Sequence, residues 1–388
     1  MFKKHLQLLL TAALIAVCSV NSYAQTALKF KYRQSHLYAG IEVGSKGVKM
    51  SLVEIGMDDQ DNPAFNILKD TSVNSDFISF TQASFDATLS GLTGLYRDAN
   101  DHYTIPSDKI FTVISSGVNI QAEKAGKTAM LKQLADAFRE AVHEPTRQVE
   151  VIDVVQEARL SHLGIVPDSR RFNTFLIDIG SGNTKGGYFL DGTETKNFKL
   201  FQLTWGTKST ANAAEKKMDD DKSITNFTKQ LYRVLAGSAD DEIVYAINAS
   251  GAYNINDNIA FSGGIAWSVA TLISPELMEN PVIPVTYQEV EAFYNRIYND
   301  YNSLKSEMIT KAISDPIVDK ALVAKEVNRV NKVFDQQSLL AGTGLLLKIM
   351  RQFEGIYEKK DFYLVKNGQV GWVSAYVSQQ LKHEQTSK

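Results

Sequence analysis

Two glycine-serine turns, each with an acid beside it, are the residues of this chain whose types and spacing could do chemistry. The first lies in Gly40-Ile41-Glu42-Val43-Gly44-Ser45-Lys46-Gly47 and the second in Asp178-Ile179-Gly180-Ser181-Gly182-Asn183-Thr184-Lys185. Each reads as strand, acid, tight turn, strand. The bare backbone N–H groups of such a turn form a concave anion site, and a carboxylate next to them suits a metal-bound phosphate. Two such turns facing each other would grip a phosphate chain from both sides. Gly44, Ser45 and Lys46 would act on one side and Gly180, Ser181, Gly182, Asn183, Thr184 and Lys185 on the other, with Asp178 and Glu42 as candidate metal ligands. Each residue also has a plainer role. Glycine serves ordinary hairpins because it tolerates positive φ. An aspartate can cap its own turn, and a lysine can simply be solvated. The pairing of the motif favours the phosphate cradle.

Positioning two such hairpins takes an alternation of strands and helices. Apolar residues alternate through two strands from Tyr38 to Ile55, and Met57 to Pro63 reads as a loop between strands. Helices are expected over Ser84–Arg97 and Lys127–Val142, the latter with Met130, Leu131, Leu134, Ala135 and Phe138 on one face. Ile110–Ser115 and Val149–Val155 read as strands, and Gln156–Leu163 opens a helix. Gly164–Arg171 is the best domain boundary. Beyond it the opening pattern repeats over Thr174–Leu190, followed by a strand at Phe198–Leu203 and a helix at Ser223–Leu235. A further strand at Ile259 runs into a third glycine turn, Gly263-Gly264. Helical segments follow at Tyr287–Tyr301, Lys311–Phe334 and Leu339–Phe353, then a strand at Phe362–Val365 and a closing helix at Trp372–Leu381. Strands alternating with helices mean an α/β fold, here with a repeat at domain scale.

Composition sets the bounds. At 388 residues, 44% hydrophobic and 22% charged, the chain is globular material with core enough for two to three domains. Residues 1–24 resemble a secretory signal, with Lys3 and Lys4, an apolar run from Leu6 to Val20, and Ser22-Tyr23-Ala24 before a cut. The run is shorter than the roughly 20 residues needed to span a bilayer. The expected location is therefore periplasmic or secreted, with no stable membrane span; a lipoprotein at Cys18 is the lesser alternative. Cys18 is the one cysteine, so the mature chain has no disulfide or thiol chemistry. Without residues 1–24 the chain carries 39 basic and 44 acidic residues, a net −5 that argues against nucleic acid as the main partner and leaves room for a local basic cleft. Ala125-Gly126-Lys127-Thr128 ends like a phosphate-binding loop, but Gln121 stands where its first glycine should be. The six histidines have no metal-ligand spacing, and no Gly-X-Ser-X-Gly elbow exists.

Four stretches follow one another in a telling order: Gly40-Ile41-Glu42-Val43-Gly44-Ser45; Val151-Ile152-Asp153 with Gln156-Glu157-Ala158-Arg159-Leu160; Asp178-Ile179-Gly180-Ser181-Gly182-Asn183-Thr184; and Ser338-Leu339-Leu340-Ala341-Gly342 with Asn367-Gly368-Gln369-Val370-Gly371. This layout resembles the actin, sugar kinase and heat-shock ATPase superfamily. Within it the stretches are most similar to the exopolyphosphatase/guanosine pentaphosphate phosphohydrolase (Ppx/GppA) family. The resemblance implies two actin-like (ribonuclease H-like) domains, each a mixed sheet flanked by helices, with a phosphate-binding cleft between them. The expected division is 25–166 and 167–388, the C-terminal helix packing back on the first domain. It also implies Mg2+ at the phosphates, and Glu157 as the base that activates water. A carboxylate at a strand–helix junction in a desolvated cleft can do that work; its plainer role is to favour the helix dipole. Gly263 and Gly264 match where the superfamily packs an adenosine, or else mark a close backbone approach.

The departures are as informative as the matches. Glu42 stands where the family has Asp, and Lys185 where it has Glu, a change of two charge units at the phosphate site. Two unit charges about 4 Å apart interact by roughly 4 kcal/mol at an effective dielectric near 20, enough to weaken a metal site. Lys185 could instead bind phosphate as a point charge. The turn Asp-Ile-Gly-X-Gly-Asn-Thr-Lys is also similar to that of plasmid-segregating actin-like proteins. Three readings follow. One is an exported phosphohydrolase that releases terminal phosphate from polyphosphate or a related phosphoanhydride by metal-assisted water attack. Another is a phosphate- or nucleotide-binding protein of the same fold without catalysis. The last is an ATP-driven filament former, which export disfavours. A homodimer stays open as an assembly.

Overall fold

The computed structural model describes residues 28–57, 63–190, 197–254, 256–354 and 359–366, with 368, 371–372 and 375–377. The signal-like segment lies outside them, as does most of the closing helix. Among the described residues no helix is long and apolar enough to cross a membrane.

The described strands form two mixed sheets. The first comprises β1 (Arg33–Val43), β2 (Gly47–Met57), β3 (Pro63–Asn74), β4 (Ile110–Ile114) and β5 (Glu150–Val151), in the order β3-β2-β1-β4-β5. β1, β2 and β3 are an antiparallel meander, while β4 lies parallel to β1 and β5 parallel to β4. Tyr38 to Val43 of β1 are all buried, because a central strand is covered on both faces. The helices Gln82–Arg97 and Thr128–Ala141 pack Leu92, Leu95, Leu134 and Phe138 against Ile41, Met50 and Leu52 of that sheet.

The second sheet comprises β6 (Thr174–Ile179), β7 (Thr184–Phe189), β8 (Phe198–Leu203), β9 (Asn258–Ser262), β10 (Val282–Val285) and β11 (Asp361–Val365), ordered β10-β11-β9-β6-β7-β8. β6, β7 and β8 are again an antiparallel meander, with β9 parallel to β6. The repeat seen in the sequence is thus a repeat of topology: β1–β2 corresponds to β6–β7 and β4 to β9. Register carries it further. Glu42 stands opposite Lys49 across the first hairpin, and Asp178 opposite Lys185 across the second.

The two halves are joined by packing around the helix Val154–Ile165. Its Leu160 clusters with Val113, Ile152, Trp372, Ala375 and Tyr376, so the chain's last described residues lie on the first half. A Cβ at Gly164 would come within 2.0 Å of the Gly371 carbonyl oxygen, so only glycine permits this approach.

Several local expectations change in the folded chain. The strand expected over Val149–Val155 shrinks to two residues, because Asp153 caps the helix by accepting a 2.8 Å hydrogen bond from the Gln156 N–H. The helices Ser116–Lys124, Thr207–Glu215, Ser238–Ser250 and Gly264–Ile273 were not expected, and Lys311–Phe334 divides into Ser306–Ala312 and Lys320–Val333. The first two are polar helices of nine residues, with little apolar periodicity to betray them.

Candidate functional site

Both glycine turns open onto one cleft of about 420 Å³, whose floor includes Glu42, Glu157, Asp178 and Lys185. The first turn closes when the Gly44 N–H donates to the Gly47 carbonyl at 2.9 Å, and the second when the Gly180 N–H donates to Asn183 at 3.0 Å. Between them lies the start of the helix Ser116–Lys124. A Cβ at Gly117 would be 3.5 Å from Ser45 Oγ and 3.8 Å from Asn183 Oδ1, so the two turns face each other across a bare backbone.

Neighbouring structure locks the second turn. The Gly180 carbonyl accepts from the Thr207 N–H at 2.9 Å, and the Ser181 carbonyl from the Lys208 N–H at 2.7 Å. Gly206 fits so closely that a Cβ there would be 2.6 Å from the Asn183 nitrogen. Thr184 plays a different part from its companions. It is fully buried, donates its hydroxyl to the Trp205 carbonyl at 2.7 Å, and does not line the cleft. Gly44, Ser45, Lys46, Gly180, Ser181, Gly182 and Asn183 do line it.

Glu157 sits at the join of the halves, 2% exposed, in the first turn of the helix Val154–Ile165. Its Oε2 accepts the Ser116 N–H at 2.8 Å, and its Oε1 lies 2.5 Å from Lys185 Nζ. Lys185 Nζ is also 3.8 Å from Asp178 Oδ2, while Asp178 Oδ1 accepts from Ser262 Oγ at 3.2 Å. Glu42 is buried, and its Oε2 has no hydrogen-bond partner.

The charges divide the acids into two kinds. Burial raises the pKa of Glu42 above the ordinary carboxylate value; Lys49 pulls it down and Glu157 pushes it up. Burial raises Asp178 as well, against the pull of Lys185. Burial alone would raise Glu157 too. There the Lys185 charge and hydrogen bond, with the Ser116 amide, prevail and hold it below the ordinary value. Lys185 moves reciprocally: burial works to lower it, and Glu157 and Asp178 hold it above the ordinary lysine value. Glu157 and Lys185 are therefore a charged pair at neutral pH. Among the described residues no group of three or more His, Cys, Asp or Glu is arranged to hold a metal ion.

Gly263 and Gly264 line the cleft at the start of the helix Gly264–Ile273. Gly263 has φ +93°, and a Cβ there would be 2.3 Å from the Ile179 carbonyl oxygen, so close approach of backbones accounts for glycine. A Cβ at Gly264 would meet the Phe334 ring at 3.3 Å. Sequence reasoning did not reach Lys49, Ser116, Ser262, Arg329 or Lys332. For Ser116 a signal existed, since Ser115-Ser116-Gly117 after a buried strand is helix-capping chemistry. Arg329 and Lys332 lie on the far helix Lys320–Val333, and no local pattern ties them to the turns.

No protein-family model matches the chain, and no curated protein is similar to it at the sequence level. Solved structures are similar in fold. The Ppx/GppA family member of Aquifex aeolicus superposes with a TM-score of 0.58 at 16% identity, over 90% of this chain and 99% of that one. An exopolyphosphatase from Cytophaga hutchinsonii gives 0.57 at 12% identity, over 88% and 98%. An exopolyphosphatase-like protein gives 0.55 at 15% identity, over 90% and 100%. The chain has the two-domain, actin-like α/β fold of these Ppx/GppA structures over nearly their whole length.

Proposed function

We propose that the cleft binds the terminal phosphates of polyphosphate or a related phosphoanhydride, and that the chain is a phosphohydrolase of the Ppx/GppA kind. One observation carries this: the two turns face each other across Gly117 and open onto the same floor as Glu157, Asp178 and Lys185. Water attacks the terminal phosphorus as the bridging P–O bond breaks. Glu157 Oε1 takes a proton from that water, and the shortened chain leaves with the electrons of the broken bond. For this Lys185 must turn from Oε1 toward the phosphoryl oxygens, where its charge offsets the developing negative charge. The donor set does not fit the Mg2+ that the family resemblance implies. Lys185 Nζ lies against Glu157 and near Asp178, so a divalent ion touching both would meet an ammonium. Export, proposed from the signal-like N-terminus, favours polyphosphate over nucleotides confined to the cytoplasm.

A second reading, binding without turnover, is favoured by the same ion pair. Both Glu157 oxygens are engaged and its pKa is depressed, which makes it a weak base. Phosphate release from medium-chain polyphosphate by residues 25–388, with and without magnesium, separates the two when run beside Glu157→Ala. Release that the substitution abolishes supports hydrolysis. Release no greater than the variant's leaves binding alone.

A further inference from the structure

The positive charge on the acidic floor belongs to the chain itself. Glu42, Glu157 and Asp178 come from three elements, and carboxylates so buried need a compensating cation. Lys185, 7% exposed, supplies it at 2.5 Å from Glu157 and 3.8 Å from Asp178. Its stem is held in β7, opposite Asp178, as Lys49 is held in β2 opposite Glu42. Each hairpin thus brings a lysine to the register position facing its acid. Lys46, Lys49, Arg329 and Lys332 join Lys185 in lining the cleft. The acids among the lining residues are Glu42, Asp70, Glu157 and Asp178, so basic groups outnumber acidic ones before any metal arrives. Glu42 Oε2, buried and without a partner, leaves one acceptor facing this floor for an incoming donor or a protonated phosphate oxygen.

We propose that the Lys185 ammonium stands in for a divalent cation, and that this cleft binds phosphoanhydrides without a metal ion. The inference rests on the phosphate-binding reading of the cleft. An ammonium on a flexible stem has three donors and can serve Glu157 and a phosphoryl oxygen in turn.

The test is calorimetric titration of the full chain with medium-chain polyphosphate, in excess EDTA and in magnesium. Binding in EDTA at least as tight as in magnesium is the expected result. Binding only in magnesium overturns the inference and leaves the phosphate-binding reading standing; no binding in either overturns both. Lys185→Met should weaken binding in EDTA about 10- to 100-fold, the worth of one charge-assisted hydrogen bond. Lys185→Glu should make any remaining binding depend on magnesium. A second measurement uses Mn2+ alone, followed by water-proton relaxation, on the unsubstituted chain and on Asp178→Asn. No stoichiometric uptake is expected, and a site that Asp178→Asn abolishes would overturn the proposal.

Discussion

Replacing Lys185 with Met keeps the aliphatic stem and removes the charge from a buried ion pair. Glu157, 2% exposed, would then hold only the Ser116 N–H, and Asp178 beside it would lose the same neighbouring charge. Removing one partner of a buried pair costs about 3–5 kcal/mol, because the other charge stays desolvated. The expected result at neutral pH is a loss in that range, read from urea unfolding followed by near- and far-UV circular dichroism. Adding Glu157→Gln should return more than half of it, since the amide can still accept from Ser116 and carries no charge. The pH dependence has a definite sign. In Lys185→Met the folded-state pKa of Glu157 rises above its unfolded value, so the folded state binds the proton first. The deficit should therefore shrink as the pH falls through that raised value and continue to shrink toward the unfolded pKa, near 4. A loss under about 1 kcal/mol, or a double variant less stable than the single one, would refute the argument that the pair neutralises the floor.

Two further outcomes test other parts of the structure. His162 is fully buried, its Nε2 3.0 Å from the Thr174 carbonyl, and burial lowers its pKa to about 4. The unfolded chain protonates first, so stability is complete above pH 6.5 and about 3 kcal/mol of it should disappear as the pH falls to about 4. His162→Gln should flatten that part of the profile, and an unchanged profile would exclude His162 as its source. Gly206→Ala places a Cβ 2.6–2.8 Å from backbone atoms of Asn183, Gly180 and Gly182, so it should cost about 1–3 kcal/mol and weaken polyphosphate binding. Gly94→Ala, with nothing within 4 Å of its Cβ, is the control; it should stabilise by roughly 0.5–1 kcal/mol and leave binding alone.

Much of this molecule was legible in local pattern. Alternating apolar residues mark the hairpins β1–β2 and β6–β7, and an amphipathic stripe marks Thr128–Ala141. The glycines and acids of the two turns stand where chain chemistry alone puts them, because strand register sets which residues meet across a hairpin. The opposition of Asp178 and Lys185 follows from that register, and so does that of Glu42 and Lys49. The short polar helices were not legible, since burial of a few small residues leaves no periodic signal.

The partner of Lys185 was decided by tertiary structure alone. From sequence the lysine could be solvated or could bind a phosphate as a point charge. It meets Glu157 because the helix Val154–Ile165 packs at the join of the two halves and carries that carboxylate over the end of β7. The Ser116 amide reaches the same carboxylate from a helix with no apolar stripe to announce it, and Arg329 and Lys332 enter the cleft from the helix Lys320–Val333. Local chemistry decides which residues a turn offers. Which charge meets which depends on long-range packing, and a buried ion pair forms only where that packing excludes water from both partners.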